Sequence, residues 1–165
     1  MRTHLPLTLL GLALLTLPAM AAAPAVIFSK ADATSALADN HVKGFVMKTL
    51  HAVDTPDAHA SIAILRRDQS ETSGLSHDHV TEIYEILEGE ATLLTGGTFK
   101  DGGKAMTSDL DPAIGPSHQG VIEGGTSRVV KPGDMVVLGP GTPHAFSRID
   151  GPITHRVIRL SREKY

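Results

Sequence analysis

Histidine and carboxylate side chains with the spacing of metal ligands occur in two segments of the sequence. In the first, His77 and His79 are separated by one residue, and on an extended chain residues i and i+2 point to the same side, so both rings can reach one ion. Glu82 follows at an odd separation from His79, so a bulge or tight turn at residues 80–81 is needed to bring its carboxylate to that side. Without such a turn Glu85, at an even separation, is the competing ligand.

The second segment begins at Gly133 and ends at His144. A turn leads into a strand that is expected to alternate in burial, a corner of Gly139, Pro140 and Gly141 ends that strand, and His144 opens the next one. A histidine in this position can reach across a barrel. We therefore expect His144 to meet the ligands of the first segment.

Taken together, the two segments resemble the two motifs of the cupin superfamily, commonly written G(x)5HxH(x)3-4E(x)6G and G(x)5PxG(x)2H(x)3N. The interval of six residues that the first motif requires lies between Glu82 and Gly89, which favours Glu82 over Glu85 as the carboxylate. The resemblance extends from residue 74 to about residue 149. The matching residues are His77, His79, Glu82 and Gly89 in the first motif and Gly133, Gly141 and His144 in the second.

The sequence departs from this pattern in its spacing. Only two residues separate His79 from Glu82, where the motif has three or four, and only two residues separate Gly74 from the first histidine, where the motif has five. Pro140 is displaced by one position, and Arg148 stands where the motif has asparagine. None of these departures removes a ligand, but the first affects the expected position of Glu82.

The resemblance implies an all-β fold, the cupin-like double-stranded β-helix or jelly-roll barrel, with one divalent transition metal bound by His77, His79, Glu82 and His144. Three imidazoles and one carboxylate leave open positions on an octahedral ion, and they suit Fe, Mn, Zn, Ni or Cu, so the identity of the metal stays open. Tyr84 shares the parity of Glu82 and is expected to line the same cavity, either positioning a substrate or filling the barrel. Glu82 and Tyr84 are therefore the candidate catalytic residues.

Our first hypothesis for the function is a metal-dependent enzyme of the oxygenase, decarboxylase, isomerase or lyase type that acts on a small polar organic molecule. The second is a non-catalytic module that binds a metal or a small ligand, and the third is an interaction domain with a vestigial site. The sequence contains no phosphate-binding loop, no GxGxxG, no HExxH and no GxSxG motif. The resemblance also implies a homodimer that pairs through outer strands, with residues 24–28 extending a sheet edge of the partner.

Composition excludes several other classes. The chain has 165 residues with 18 acidic and 15 basic side chains, nine histidines and no cysteine. Without a thiol there is no disulfide framework, zinc ribbon, iron–sulfur cluster or cysteine nucleophile. A formal charge of −3 and scattered Lys and Arg residues argue against nucleic-acid binding, which requires a clustered cationic surface.

The N-terminal residues have the layout of an export signal. Arg2 supplies the positive end, residues 5–18 form an apolar run, and Ala19-Met20-Ala21 is an A-x-A cleavage site. We expect a signal peptide at residues 1–21, a periplasmic or secreted mature protein, and no membrane contact after cleavage. The remaining domains are an arm with a short helix at residues 22–40 and a β-barrel at residues 41–165.

Short apolar runs separated by Gly, Pro and Asp predict a sheet protein with one helix. The helix is expected to be capped by Asp32 or Thr34 and to end near Asn40, and Glu88-Gly89 is expected to close a tight hairpin. His118 lies in a long segment, residues 96–126, that either covers the barrel mouth or forms a solvated loop. His41, His51, His59 and His155 are expected to be surface or structural residues. Strands are predicted at residues 45–53, 61–67, 82–87, 91–95, 126–130, 135–138, 145–149 and 153–160.

Overall fold

The structure is a computed structural model that describes residues 25–38, 44–108 and 112–163. The expected signal peptide, residues 1–21, and the expected helix end at Asn40 lie outside the described residues. Within the described part no helix is long and apolar enough to cross a bilayer.

Among the described residues one α-helix, α1, extends from Lys30 to Ala38, and Ser29 caps it. The Ser29 hydroxyl accepts a hydrogen bond from the Asp32 backbone N–H at 3.1 Å, and the Asp32 carboxylate accepts one from the Ser29 backbone N–H at 2.8 Å. This reciprocal pair is a capping box, which satisfies two backbone donors at the helix start. The prediction of Asp32 or Thr34 as the cap is therefore wrong, because Asp32 already lies inside the first turn.

The rest of the described chain is built from short strands and two single turns of 3-10 helix, Lys100–Gly102 and Pro112–Ile114. Thirteen strands occur in the described residues: β1 (Phe45–Thr55), β2 (Ala58–Arg67), β3 (Gly74–His77), β4 (Thr81–Glu88), β5 (Ala91–Thr95), β6 (Thr98–Phe99), β7 (Lys104–Met106), β8 (Ser117–Gly120), β9 (Ile122–Glu123), β10 (Thr126–Val130), β11 (Met135–Leu138), β12 (His144–Ile149) and β13 (Ile153–Ser161).

The strands form two larger antiparallel sheets and a two-stranded ribbon of β6 and β9. The first sheet has the order β1-β2-β13-β4-β11, and the second has the order β10-β5-β12-β3-β8-β7. Sequential strands β4 and β5 belong to different sheets, so the expected hairpin at Glu88-Gly89 is wrong. The chain crosses from one sheet to the other at Gly89, where φ is 79°, a value that favours glycine. A Cβ at this position would lie 2.1 Å from the Pro152 carbonyl oxygen.

Alternation along β4 shows how the strands divide their side chains between core and exterior. Glu82, Tyr84 and Ile86 are buried, whereas Ile83 and Glu85 are only partly covered. This period of two is what a sheet with one face on the core requires. The core between the sheets is formed by Ala63, Leu65, Tyr84, Ile86, Ala91, Leu93, Val130, Leu138, Phe146, Ile153 and Val157.

All eight predicted strands are present. Strands β5, β10 and β11 have the predicted bounds, and β1, β2, β4, β12 and β13 differ from theirs by a few residues at the ends. Strands β3 and β6 to β9 were not predicted, because they are two to four residues long and show no apolar alternation of their own. The segment at residues 96–126, of which residues 109–111 are not described, therefore contributes the short strands β6 to β9 and is not one continuous solvated loop.

The arm before α1 forms no strand over residues 25–29. Phe28 lies against His51 of the same chain, with ring centroids 6.0 Å apart. Helix α1 then packs against β1 and β2. The arm thus covers part of the outer face of its own five-stranded sheet.

Candidate metal centre

Three of the four predicted metal ligands form a buried cluster. His77, Glu82 and His144 are 5%, 1% and 8% exposed, and their candidate ligand atoms all lie within 4.8 Å of one another. Glu82 Oε2 is 3.5 Å from His77 Nε2 and 3.4 Å from His144 Nε2. One carboxylate oxygen therefore faces both ring nitrogens.

Each ligand is positioned by the start or end of a strand. His77 ends β3, and its carbonyl accepts a hydrogen bond from the Gly141 N–H at 2.7 Å, which joins the two motif segments directly. His144 opens β12 and lies beside β3, where a Cβ on Gly74 would be only 2.8 Å from the His144 carbonyl oxygen. Glycine at position 74 thus permits the close approach of the strands that carry the two histidines.

The tautomers of both histidines are fixed by partners on the Nδ1 side. His144 Nδ1 donates to the Thr142 carbonyl oxygen at 3.0 Å. His77 Nδ1 lies 2.9 Å from the Ser117 hydroxyl, which itself donates to the Gly115 carbonyl oxygen and must therefore accept from the ring. With Nδ1 protonated, each neutral ring carries its lone pair on Nε2, directed at the cluster.

Two further side chains hold the Glu82 carboxylate. Arg159 donates through Nε to Oε1 at 2.7 Å, and Tyr84 donates its hydroxyl to Oε2 at 2.7 Å. Burial alone raises the pKa of Glu82, but contact with His77 and the positive charge of Arg159 outweigh burial and hold that pKa well below its usual range. Glu82 is therefore ionised and has both oxygens engaged, which suits a ligand better than a general base.

The neighbouring groups stay in their neutral forms at neutral pH. Burial lowers the pKa of His144 more than the Glu82 carboxylate raises it, so the ring keeps its Nε2 lone pair. Burial and the same carboxylate raise the pKa of Tyr84 well above its usual value, so its hydroxyl remains a donor. Tyr84 thus shares the cavity of Glu82, as its parity predicts, and orients the carboxylate.

The donor set fits a divalent transition metal. Two imidazole lone pairs and a carboxylate oxygen face one another, and none of these three atoms is a strong hydrogen-bond donor. A bound cation would remove the repulsion between them. Ligands bound to one such ion at 2.0–2.2 Å are about 3.0–3.5 Å apart, and Glu82 Oε2 lies at such distances from both ring nitrogens, 3.5 Å from His77 and 3.4 Å from His144. His77, Glu82 and His144 could therefore form a metal site.

Comparison of the sequence with models of known families and with curated proteins finds no match. Solved structures do resemble it. An uncharacterised conserved protein with a double-stranded β-helix domain from Klebsiella pneumoniae subsp. pneumoniae MGH 78578 is 15% identical with a TM-score of 0.50, covering 86% of this chain and 95% of that one. Peruvianin-I, a cysteine peptidase from Thevetia peruviana latex, is 16% identical with a TM-score of 0.51, covering 90% of this chain and 79% of its own.

The chain has the cupin fold. It is also similar to the DMSP lyase DddQ from Ruegeria pomeroyi DSS-3, at 22% identity and a TM-score of 0.45 over 73% of this chain, but it spans only 47% of that protein. Identities of this size establish the fold and leave the activity open. For example, peruvianin-I is a cysteine peptidase, and this chain has no cysteine that could serve as such a nucleophile.

The cupin fold here does not bring His79 to the cluster, contrary to our prediction. Strand β3 ends at His77, and the chain bends at residues 78–79 before β4 begins at Thr81. The rule that i and i+2 share a face applies only within an extended strand. His79 is therefore exposed and lines a surface cleft of about 590 Å³, together with Asp78, Thr81 and Pro140.

The other sequence candidates lie away from the cluster. Glu85, the competing carboxylate, faces outward from β4 and pairs with Arg156, and Arg148, at the position of the motif's asparagine, pairs with Asp150 at the surface. His118 is half-buried, with Nδ1 2.9 Å from an Asp78 carboxylate oxygen. It therefore points away from the metal site.

Two residues of the site were missed. Ser117 pairs with His77 across β3 and β8, whereas the sequence singled out the neighbouring His118. Arg159 lies in β13 on the side of the strand that faces the core, together with Val157 and Ile153. A basic residue on the core-facing side of an apolar strand is the signal that could have identified it.

Replacing Ser117 with alanine is expected to weaken metal binding about 10- to 100-fold, because the His77 ring loses the acceptor that fixes its tautomer. Isothermal titration with a divalent metal measures the change. His118→Ala is the matched control, since this neighbouring side chain contacts Asp78 and should leave the affinity within about threefold of wild type. Equal losses in the two variants would contradict the role given to Ser117.

His155 occupies the barrel core rather than a surface or strand edge. Its side chain is fully buried, with ring centroids 4.8 Å from Tyr84 and 5.1 Å from Phe146. Neither ring nitrogen has a hydrogen-bond partner among the described residues. Burial and the charge of Arg67 lower the pKa of His155 to about 3, so the folded protein holds it neutral.

This buried imidazole predicts a loss of stability in acid. Below pH 6.5 the unfolded chain protonates His155, whereas the folded protein does so only near pH 3. Because the unfolded state binds more protons in this window, stability falls as pH falls, by up to about 1.4 kcal/mol per pH unit from this residue. Urea denaturation between pH 8 and 4 should show a shallower pH dependence in His155→Phe than in wild type. Identical slopes would contradict the assignment.

Proposed function

We propose that this chain is a metal-dependent enzyme that acts on a small polar organic molecule, with His77, Glu82 and His144 as its metal ligands. The observation that supports this most is the convergence of two imidazoles, tautomerically fixed by Ser117 and the Thr142 carbonyl, on one ionised carboxylate. A structural metal site is normally closed by four protein ligands, whereas three protein ligands leave positions for substrate.

Two histidines and one carboxylate occur as ligands in both non-haem iron(II) oxygenases and zinc hydrolases. Iron, manganese, zinc, nickel and copper therefore all stay candidates. A bound ion of this kind polarises a carbonyl or lowers the pKa of a bound water.

The chain's own residues have separate parts in this proposal. Arg159 keeps Glu82 ionised and immobile through the contact to Oε1, so the carboxylate is ready to bind a cation. Tyr84 keeps its proton and presents a hydroxyl beside Oε2, where it orients the ligand and can orient a polar group of the substrate. His77 and His144 contribute their Nε2 atoms, and binding a metal there releases any proton that these atoms hold.

A non-catalytic module that captures a metal or a small ligand is the second candidate. The engagement of both Glu82 oxygens favours it, because Glu82 then has no free oxygen to act as a base. Among the described residues, the cluster contains no further histidine or carboxylate that could act as the base.

The two candidates are separated by reconstitution. Wild type and His144→Ala are stripped of metal, loaded in turn with Fe, Mn, Zn, Ni and Cu, and assayed against carboxylates, phenols and sugars. Turnover confined to metal-loaded wild type supports the enzyme. Tight metal binding without turnover across the panel supports the binding module, and failure of wild type to bind any of the metals overturns both.

We also propose that the protein is exported, on the basis of its N-terminal sequence. Sequencing of the protein from a periplasmic or extracellular fraction should find a new N-terminus at or near Ala22. Recovery of the chain with Met1 intact from the cytoplasm would contradict export.

A further inference from the structure

The buried charges of this protein are reduced to one pair. Among the residues that the structure describes, Glu82 and Arg159 are the only Asp, Glu, Lys or Arg side chains that are buried, at 1% and 5% exposure. Arg159 donates through Nε to Glu82 Oε1 at 2.7 Å. The single positive charge of the guanidinium therefore offsets the single negative charge of the carboxylate.

The remaining groups near the cluster leave this balance unchanged. Imidazoles bind a metal through a nitrogen lone pair and bring no charge of their own, so His77 and His144 add none. Glu71 lies farther out and is paired with Arg67 at 2.7 Å. A divalent ion held by His77, Glu82 and His144 thus meets a carboxylate whose charge is already offset, and the site as a whole keeps two positive charges.

Two uncompensated charges in a buried site are unfavourable, because little water is present to solvate them. An anion that binds at the metal removes this cost, whereas a neutral molecule such as a sugar does not. The two imidazoles and the carboxylate leave neighbouring positions open on the ion, where a carboxylate and an adjacent hydroxyl can bind together. A phosphate ester fits less well, because the sequence has no phosphate-binding loop.

We propose that Arg159 makes the metal centre selective for small carboxylate anions over neutral molecules of the same shape. This inference rests on the proposed function and narrows its small polar organic molecule to one chemical class. Arg159 is a positioning residue for Glu82, and it determines specificity through its charge without contact to the reacting atoms.

Calorimetric titration of zinc-loaded protein with lactate and with lactamide tests the proposal. The two molecules have nearly the same shape and both carry a hydroxyl beside the carbonyl carbon, but only lactate is charged. Wild type should bind lactate at least about tenfold more tightly than lactamide, because the charge of the site acts on the anion alone.

Arg159→Gln removes the charge and retains the contact, because the glutamine amide nitrogen occupies the position of the arginine Nε. The affinity for lactate should fall at least about tenfold, the affinity for lactamide should stay within about threefold, and the affinity for zinc should rise, since the Glu82 charge is no longer offset. Arg159→Lys, which keeps the charge, should restore the preference for lactate. A purely structural defect would lower all three affinities together.

The matched control is Arg148→Gln. Arg148 donates to Asp150 through the same nitrogen, at 3.0 Å, but both side chains are more than 70% exposed, so none of the three affinities should change. If Arg159→Gln does not fold, the wild-type comparison decides. Zinc-loaded wild type that binds lactate and lactamide equally, or an Arg159→Gln variant that keeps the preference for lactate, overturns this inference alone. Wild type that binds no metal overturns the proposed function as well.

Discussion

Glu82→Gln is expected to destabilise the metal-free protein by about 3–5 kcal/mol, the usual effect of removing one partner from a buried ion pair. The cause is Arg159, which is 5% exposed and would keep its charge while losing the carboxylate that balances it. Urea denaturation of metal-stripped protein measures this effect free of any contribution from metal binding.

The matched control for Glu82→Gln is Asp150→Asn. Asp150 accepts from Arg148 through the same Nε contact, at 2.9 Å, but both side chains are more than 70% exposed. Solvent screens such a pair, so its loss should leave the unfolding curve where it is. If the two variants lost similar stability, or if Glu82→Gln unfolded like wild type, the buried Glu82–Arg159 pair would not have the structural importance given to it here.

His77→Ala is expected to weaken metal binding more than about 100-fold, beyond the loss typical of residues that only support a ligand. His79→Ala should stay within about threefold of wild type, because the structure places that ring in the surface cleft. Metal titration of the two variants, with Glu85→Gln as a third, compares the residues that the sequence offered as ligands. If His79→Ala weakened metal binding as much as His77→Ala, the bend at residues 78–79 would have to bring His79 to the metal, contrary to its place in the surface cleft.

Metal binding also predicts a stability difference between these variants. A ligand present at 100 times its dissociation constant stabilises the folded state by about 2.7 kcal/mol. Wild type and His79→Ala should show this increase on addition of metal, and His77→Ala should not. A similar increase in all three would point to metal bound elsewhere on the protein.

The sequence was sufficient to predict the fold because the apolar pattern of a strand and the residues of its turns are both local signals. The strands β5, β10 and β11 carry their own apolar pattern and turn residues, so their bounds match residue by residue. Strand β3 has no such pattern. Its sequence, GLSH, forms a strand because β8 and β12 lie on either side of it, and tertiary contacts of this kind are invisible to a local reading.

The same missing strand explains why the structure places His79 outside the cluster. With β3 in place, His77 is the last strand residue, and four residues separate it from Glu82, an interval that the cupin motif allows. Leu75 then shares the face of His77 and stands where the motif has its first histidine. The unusually short interval between His79 and Glu82 was the available sign of this register.

The residues that hydrogen-bond to the metal ligands were harder to predict from the sequence than the ligands themselves. Ser117 lies 40 residues from His77, and Arg159 lies 77 residues from Glu82. No motif spacing links either pair, because sheet pairing alone brings them together. Only the core-facing parity of Arg159 within an apolar strand was readable beforehand.

The most direct test of the central claim is anomalous diffraction from crystals of the wild-type protein loaded with a divalent transition metal, recorded on both sides of that metal's absorption edge. We predict one strong anomalous peak, about 2.0–2.2 Å from His77 Nε2, His144 Nε2 and a Glu82 carboxylate oxygen. A peak held elsewhere, for instance by His79 in the surface cleft, or no peak at saturating metal concentration, would contradict the assignment of these three residues as the metal site.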